Sequence, residues 1–339
     1  MNPVPKTSRM SRRQFLRAAA GLAAVGPFVR PGGLHALDKL RMAVWSSPLA
    51  EQTNVFVSEE RGFFKDEGIE VVWVPGLGSG AALRNVIAGN AEIGFVGPEA
   101  IYFAADKGER LKAIYNIYPQ NAFNVFALKR YNLTKPADLA GKKVGVISME
   151  SGTRYNLETL LVVNNLKRSD VEMVAVGLNP APTLQSGQIQ AMAFTDSLLH
   201  TLQAKGLGAV DVIWCRDYLN LPSDVFAIME RDFKPKRDLW KRFLRAYKRG
   251  VEWAIKNPEE AVPYCVKHCI DTKDPKLILD HIMIRVVGSS QSPTTRQKGL
   301  GWFDLPILRE GAEVYRKAGL IKNPLDVESI FTNELVAEL

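Results

Sequence analysis

Apolar and polar positions alternate along this chain in two periods, and the periods take turns. Ile69, Val71 and Trp73 alternate with Glu70, Val72 and Val74, a mostly apolar run that predicts a strand buried on both faces. A glycine-rich turn follows at residues 76–80. Leu83, Val86 and Ile87 then fall at i, i+3 and i+4, one face of a short helix closed by Gly89. Residues 90–96 read as the next strand, which ends at Gly97-Pro98-Glu99. Earlier, residues 40–46 read as a strand and Ser47-Pro48 as a helix start. Later, residues 111–118 and 124–129 give two more strands, separated by Pro119-Gln120-Asn121.

The pattern then restarts. An offset of 102 lays Met42-Ala43-Val44-Trp45-Ser46 on Val144-Gly145-Val146-Ile147-Ser148, and residues 64–74 on 166–176. After a four-residue contraction, an offset of 98 lays residues 89–96 on 187–194. Such an internal repeat predicts two similar βαβ lobes, each a parallel sheet with right-handed crossovers. Residues 222–229 read as a returning strand. Trp240, Phe243, Leu244, Tyr247, Val251, Ala254 and Ile255 then hold one apolar stripe over four turns, ended by Asn257-Pro258. Further helices are expected at residues 258–267, 275–287 and 305–318. The boundaries that follow are 1–36 for a leader, 37–126 for the first lobe, 127–224 for the second, and 225–339 for the return to the first.

Charge changes the picture only at the start. Six of the 44 Lys and Arg residues, Lys6, Arg9, Arg12, Arg13, Arg17 and Arg30, precede residue 37, where no acid occurs. The remaining 38 face 36 acids, a net charge of +2, so the basic balance is no sign of nucleic-acid binding. Ser11-Arg12-Arg13-Gln14-Phe15-Leu16 followed by the apolar residues 18–29 fits a secretory signal of the twin-arginine type, with cleavage near Ala36. That run is too short to span a bilayer. The expected location is the periplasm, reached through the twin-arginine export machinery. Cys215, Cys265 and Cys269 are an odd set and read as buried thiols, with no metal site or cofactor expected.

Gly62-Phe63-Phe64, Glu67-Gly68-Ile69-Glu70-Val71, Ala88-Gly89-Asn90-Ala91-Glu92-Ile93-Gly94, Asp138-Leu139-Ala140-Gly141-Lys142-Lys143, Gly187-Gln188-Ile189-Gln190-Ala191 and Asn257-Pro258-Glu259-Glu260-Ala261 occur in this order. The chain thereby resembles the substrate-binding proteins of ABC importers for nitrate, sulfonates, taurine and thiamine-pyrimidine precursors. It departs from them at Asp196-Ser197, where the family usually has an acid followed by proline. The resemblance implies an α/β, two-lobe periplasmic binding protein of type II, with the ligand cleft between the lobes. It also implies crossing strands near residues 125–129 and 225–229, and a permease and ATPase in the inner membrane as partners.

Ligands of open α/β sheets lie beyond the carboxyl ends of strands. That rule selects Trp45, Ser46, Gly78, Ser79, Pro98 and Glu99 from the first lobe, and Ser151, Gly152, Thr153, Arg154 and Asp196 from the second. Asn121 joins them from the link between the lobes. Each has a plainer role beside the binding one. Glu99 could be a first-turn helix acid, Asp196 an N-cap, Arg154 a solvated helix residue, Ser151 and Thr153 caps, and Trp45 a core residue. A carboxylate beside the site disfavours a simple oxyanion. The expected ligand is a small organic solute with an amine, amidine or aminopyrimidine donor, or a zwitterion whose anionic end meets residues 151–154.

Two rival classes share these features. Gly76-x-Gly78-x-x-Ala81 after a strand matches a relaxed dinucleotide fingerprint, but Gly97-Pro98 displaces Glu99 from the strand end where a ribose contact belongs. A thiamine-pyrimidine synthase on the same fold would be a closer enzyme, yet its cysteine-rich signature is missing. A binding module that reports to a membrane sensor is the other rival, and no residue separates it from an importer protein.

Overall fold

The computed structural model describes residues 36–149 and 151–339. Apart from Ala36, the expected leader lies outside them. Ten strands run in chain order: β1 Asp38–Val44, β2 Ile69–Pro75, β3 Ile93–Val96, β4 Leu111–Tyr118, β5 Phe123–Leu128, β6 Lys143–Val146, β7 Glu172–Ala175, β8 Ala191–Thr195, β9 Val210–Trp214 and β10 Asp224–Met229. They form two five-stranded sheets, ordered β2-β1-β3-β10-β4 and β7-β6-β8-β5-β9. Each sheet has one antiparallel member, β10 in the first and β5 in the second. The expected all-parallel sheets are therefore mixed, because each lobe takes in one strand from the chain returning from the other.

This exchange also moves the crossings. The strand expected to cross at residues 125–129 is β5, which lies wholly in the second sheet, paired with β8 and β9. The chain passes between lobes at residues 119–122 and 218–223. β9 was not foreseen, although Val210, Val212 and Trp214 alternate with Asp211 and Ile213.

The sequence repeat appears as strand register. Met42 pairs with Ile93 and Ala43 with Gly94 across β1 and β3. Val144 pairs with Ala191 and Gly145 with Met192 across β6 and β8, the partners that the offsets of 102 and 98 require. The edge strands depart from it. Met42 faces Trp73, whereas Val144 faces Met173, so β7 has slid two residues relative to β2. An even slip keeps every side chain on its face, which is why the hydrophobic pattern tolerates it. Being an edge, β2 leaves Val71 to Val74 half-buried rather than covered on both faces.

Helices flank both sheets. Those used below are α1 Thr53–Glu60, α2 Ser79–Ile87, α3 Pro98–Asp106, α4 Gly152–Val163, α5 Ala181–Gln185, α6 Asp196–Ala204, α7 Arg237–Lys256, α8 Pro258–His268, α9 Pro275–His281 and α10 Leu305–Lys317. α1 starts later than expected. Residues 45–48 bend, a 3-10 turn Ala50–Gln52 follows, and the Gln52 amide oxygen rather than Ser47 takes a free N–H, that of Leu49, at 2.6 Å. α7 lays its stripe on the first sheet, where Phe226, Phe243 and Tyr247 form edge-on and stacked ring contacts. The helix expected at residues 275–287 changes winding midway: α9 gives way to a π-helical stretch, Ile282–Ser289. Ser290 N–H accordingly reaches back five residues to Arg285 O. Cys215, Cys265 and Cys269 are free and buried. Among the described residues no helix is long and apolar enough to cross a membrane.

Candidate functional site

The carboxyl ends of both sheets meet at a seam. One flank is built by α3 and α4. Pro98 opens α3 at its first position and places Glu99 second, where an acid faces free N–H groups. Glu99 is 5% exposed, accepts hydrogen bonds from the Ser79 hydroxyl and its own backbone N–H, and has no cation on it among the described residues. Ser79 in turn accepts the Gly97 N–H at 2.9 Å. A Cβ added to Gly97 would meet the Glu99 carboxylate at 2.2–2.6 Å, and one added to Gly152 would meet Phe123 at 2.9 Å and Glu99 at 3.3 Å. The carboxylate of the first lobe thus lies against the first residue of α4 in the second, a close approach that only glycine permits there. Burial pushes its pKa up from 4.5 to about 7, against the pull of its two hydrogen bonds. Phe103 and Tyr155 extend the same flank with ring centroids 4.6 Å apart.

The other flank is built by the turn before α1, by α6, and by the π-helical stretch. The Ser197 hydroxyl donates to the Glu51 carboxylate, and Asp196 stands 3.0 Å from Arg285 Nε as an ion pair. Arg285 also reaches Glu51 at 3.4 Å and lies over the Tyr118 ring at 6.0 Å. Burial works against the Arg285 charge, but Asp196, Glu51 and Asp224 more than offset it and raise its pKa. Burial raises Asp196 too, with Arg285 pulling the other way. Asp224, 6% exposed, is pushed up to about 8 by burial, with Glu51 and Glu99 adding repulsion. Farther along α6, Thr201 meets His281 at 2.9 Å and His200 meets Asp280 at 2.9 Å. Burial lowers the pKa of His281.

The remaining sequence candidates take several places. Trp45 is half-buried at the end of β1, its ring nitrogen enclosed beside the Asp224 carboxylate, which it helps to stabilise. Gly78 donates its N–H to Trp45 O at 2.7 Å, joining two seam loops. Ser46 accepts from the Gln52 amide at 3.0 Å. Asn121 spans the crossing: its amide donates to Asn156 at 3.0 Å and Leu219 O at 3.1 Å, and its oxygen accepts the Phe123 N–H at 2.9 Å. Ser151 Oγ lies 2.6 Å from Thr153 Oγ1, which accepts the Ile147 N–H at 3.0 Å. Arg154 turns along its own helix to Glu158 at 2.9 Å and to Met149 O at 2.7 Å. Glu158 is buried and also takes Arg168 at 2.8 Å. Arg154 is therefore engaged within lobe two, not aimed at Glu99.

Glu51, Asp224 and Arg285 were not among the sequence candidates. Glu51 sits two residues before α1 in a segment without a motif. Arg285 interrupts the apolar run Ile282 to Val287 and reads as one polar position of a helix. Only the fold brings it to Glu51, 234 residues away.

Two sheets of order 2-1-3-n-4, exchanging one strand each across a two-segment crossing, define a two-lobe binding protein of type II. The periplasmic aliphatic sulphonate binding protein SsuA of Escherichia coli has the same fold, with a TM-score of 0.68 at 15% identity, over 88% of this chain and 99% of that one. The chain belongs to the NMT1/THI5 like family, which matches residues 50–261. Among its relatives is the riboflavin-binding protein RibY of Chloroflexus aurantiacus, 25% identical over 323 residues, 94% of this chain and 91% of that protein. The formylaminopyrimidine-binding protein of Halalkalibacterium halodurans is 21% identical over 232 residues, 67% of this chain and 70% of that protein. The family and fold make this chain a solute-binding protein.

Proposed function

We propose that the chain captures a small nitrogen-rich organic solute in the seam between its lobes and hands it to an ABC permease. The observation that carries this reading is Glu99, a buried carboxylate with no cation, at the point where the first lobe touches α4 of the second. Leaving a carboxylate there costs stability unless a partner supplies positive charge or N–H donors. An aminopyrimidine, an amidine or a flavin-like ring edge supplies them, and Trp45 offers a flat apolar wall. The names of two relatives, for riboflavin and for formylaminopyrimidine, fit this chemistry better than nitrate or plain sulfonates do. The chain works by binding, not turnover, and residues 1–36 send it to the periplasm.

Calorimetry with the purified chain tests the reading. A 4-aminopyrimidine series and riboflavin are expected to include a ligand of micromolar affinity or better, roughly −8 kcal/mol, weakened at least tenfold by Glu99→Gln. Tight binding of nitrate or ethanesulfonate, unchanged by Glu99→Gln, would overturn it.

A further inference from the structure

Beside the Arg285 flank, sharing Asp196 and part of the π-helical stretch with it, a cavity of about 580 Å³ opens between the second lobe and the C-terminal segment, within the range of about 300–1,000 Å³ that holds small organic ligands. Trp214, Leu199 and Arg216 wall it on one side, Met283, Ile284 and Arg296 on the other. Its charge is one-sided. Asp196 is the one carboxylate on its wall, and Arg285 holds that at 3.0 Å. Neither Arg216 nor Arg296 makes an ion pair among the described residues. Arg216 is held with its guanidinium 4.3 Å over the Trp214 ring, so its donors are positioned in advance.

A second observation lies beneath. Asn124 pairs with Trp214 in β9 and with Phe194 in β8. Its side chain therefore leaves the sheet on the face of Trp214 and Val212, beneath the cavity wall and not part of its lining. It is 1% exposed, and neither its amide nitrogen nor its oxygen has a hydrogen-bond partner. A buried amide with both ends unmet costs stability unless something reaches it.

We propose that this cavity is a second binding site, for a small organic anion with a planar apolar body. The anionic group meets Arg216 and Arg296, and the body lies along Trp214 and Met283, over the wall that Asn124 backs. Because the walls come from both lobes, an occupant also holds the lobes together.

Calorimetry on the purified chain with 2-naphthoate, neutral 2-naphthamide and cationic 2-naphthylmethylammonium tests this. Naphthoate is expected to bind at least tenfold tighter than either isostere. The double variant Arg216→Gln/Arg296→Gln, checked for an unchanged melting temperature, is expected to abolish that preference. Glu99→Gln is expected to leave naphthoate binding unchanged. Equal binding of the three probes, no saturable naphthoate binding, or a double variant that binds normally overturns the proposal. Loss of naphthoate binding in Glu99→Gln places the probe in the seam and overturns it as well. The Glu99 reading stands or falls separately, on the aminopyrimidine and flavin titrations.

Discussion

The two flanks of the seam occupy corresponding places in the repeat but are neutralised differently. On one, Glu99 at the second position of α3 lies over Gly152 at the first position of α4. On the other, Ser197 at the second position of α6 meets Glu51 in the turn ahead of α1. The offset of 98 carries Glu99 to Ser197, and that of 102 carries Glu51 to Thr153, beside Gly152. At both of these contacts between the lobes the carboxylate comes from the first lobe, and on the second flank Asp196 of the second lobe adds another. Only the second flank has Arg285 to answer it. One flank carries its own cation, and the other has none among the described residues, so only there is positive charge left for a solute to bring.

The largest effect that tests this contrast comes from Arg285→Met. Three carboxylates, Glu51, Asp196 and Asp224, then share a buried space with no cation. The expected loss is about 3–5 kcal/mol, seen as a melting temperature lower by roughly 10 °C. Asp196→Asn in that background should recover part of it. An unchanged melting temperature would show that the two flanks do not differ in this way.

Glu99→Gln should act in the opposite direction. The folded-state pKa of Glu99, about 7, lies above its ordinary 4.5, so the folded chain holds a proton that the unfolded chain has released. Stability contributed by this group therefore falls as pH rises from about 4.5 to 7 and stays low above that. Glutamine removes the fall. Without ligand, the variant is expected to be up to about 3 kcal/mol more stable at pH 8 and little changed at pH 4.5, measured by urea unfolding at both pH values. Asp196→Asn is expected to gain less, because Arg285 pulls against burial there; an equal gain would erase the distinction between the flanks.

Gly152→Ala sharpens the geometry of the open flank. Its methyl group would press on Phe123 and on the Glu99 carboxylate, with an expected cost of about 1–2 kcal/mol and weaker solute binding. Arg154→Gln is the smallest. Arg154 is held by Glu158 and Met149 O, and Arg168 still pairs with Glu158. Stability should fall by less than about 1 kcal/mol, with solute affinity changed less than about twofold. A tenfold loss of affinity would bring Arg154 into the site.

Much of the fold is legible along the chain, because each lobe is a series of local strand-turn-helix units whose periods show in isolation. The central strands even keep their partners under the two offsets. What hides is non-local. β9 carries an ordinary alternation in a stretch of weak burial, and the strand exchange follows from packing order, which no local period reports. The same holds for the site. Glu99, Pro98 and Gly152 stand out through helix-start grammar and glycine turns. Glu51 and Arg285 carry no local signal, since their meaning arises only when the chain's two ends of the seam close.

The π-helical stretch gives Arg285 a history as well as a position. A π turn holds one residue more than an α turn, so Ile282–Ser289 is what an α-helix becomes on gaining a single residue. Deleting Met283 would let the segment wind as a continuous α-helix and swing position 285 by about 100° around the axis. The guanidinium would then leave Asp196 although the arginine itself was untouched. A chain of this family could thus lose its clasp through a one-codon deletion, or acquire it by the reverse insertion, with no change in composition at the seam.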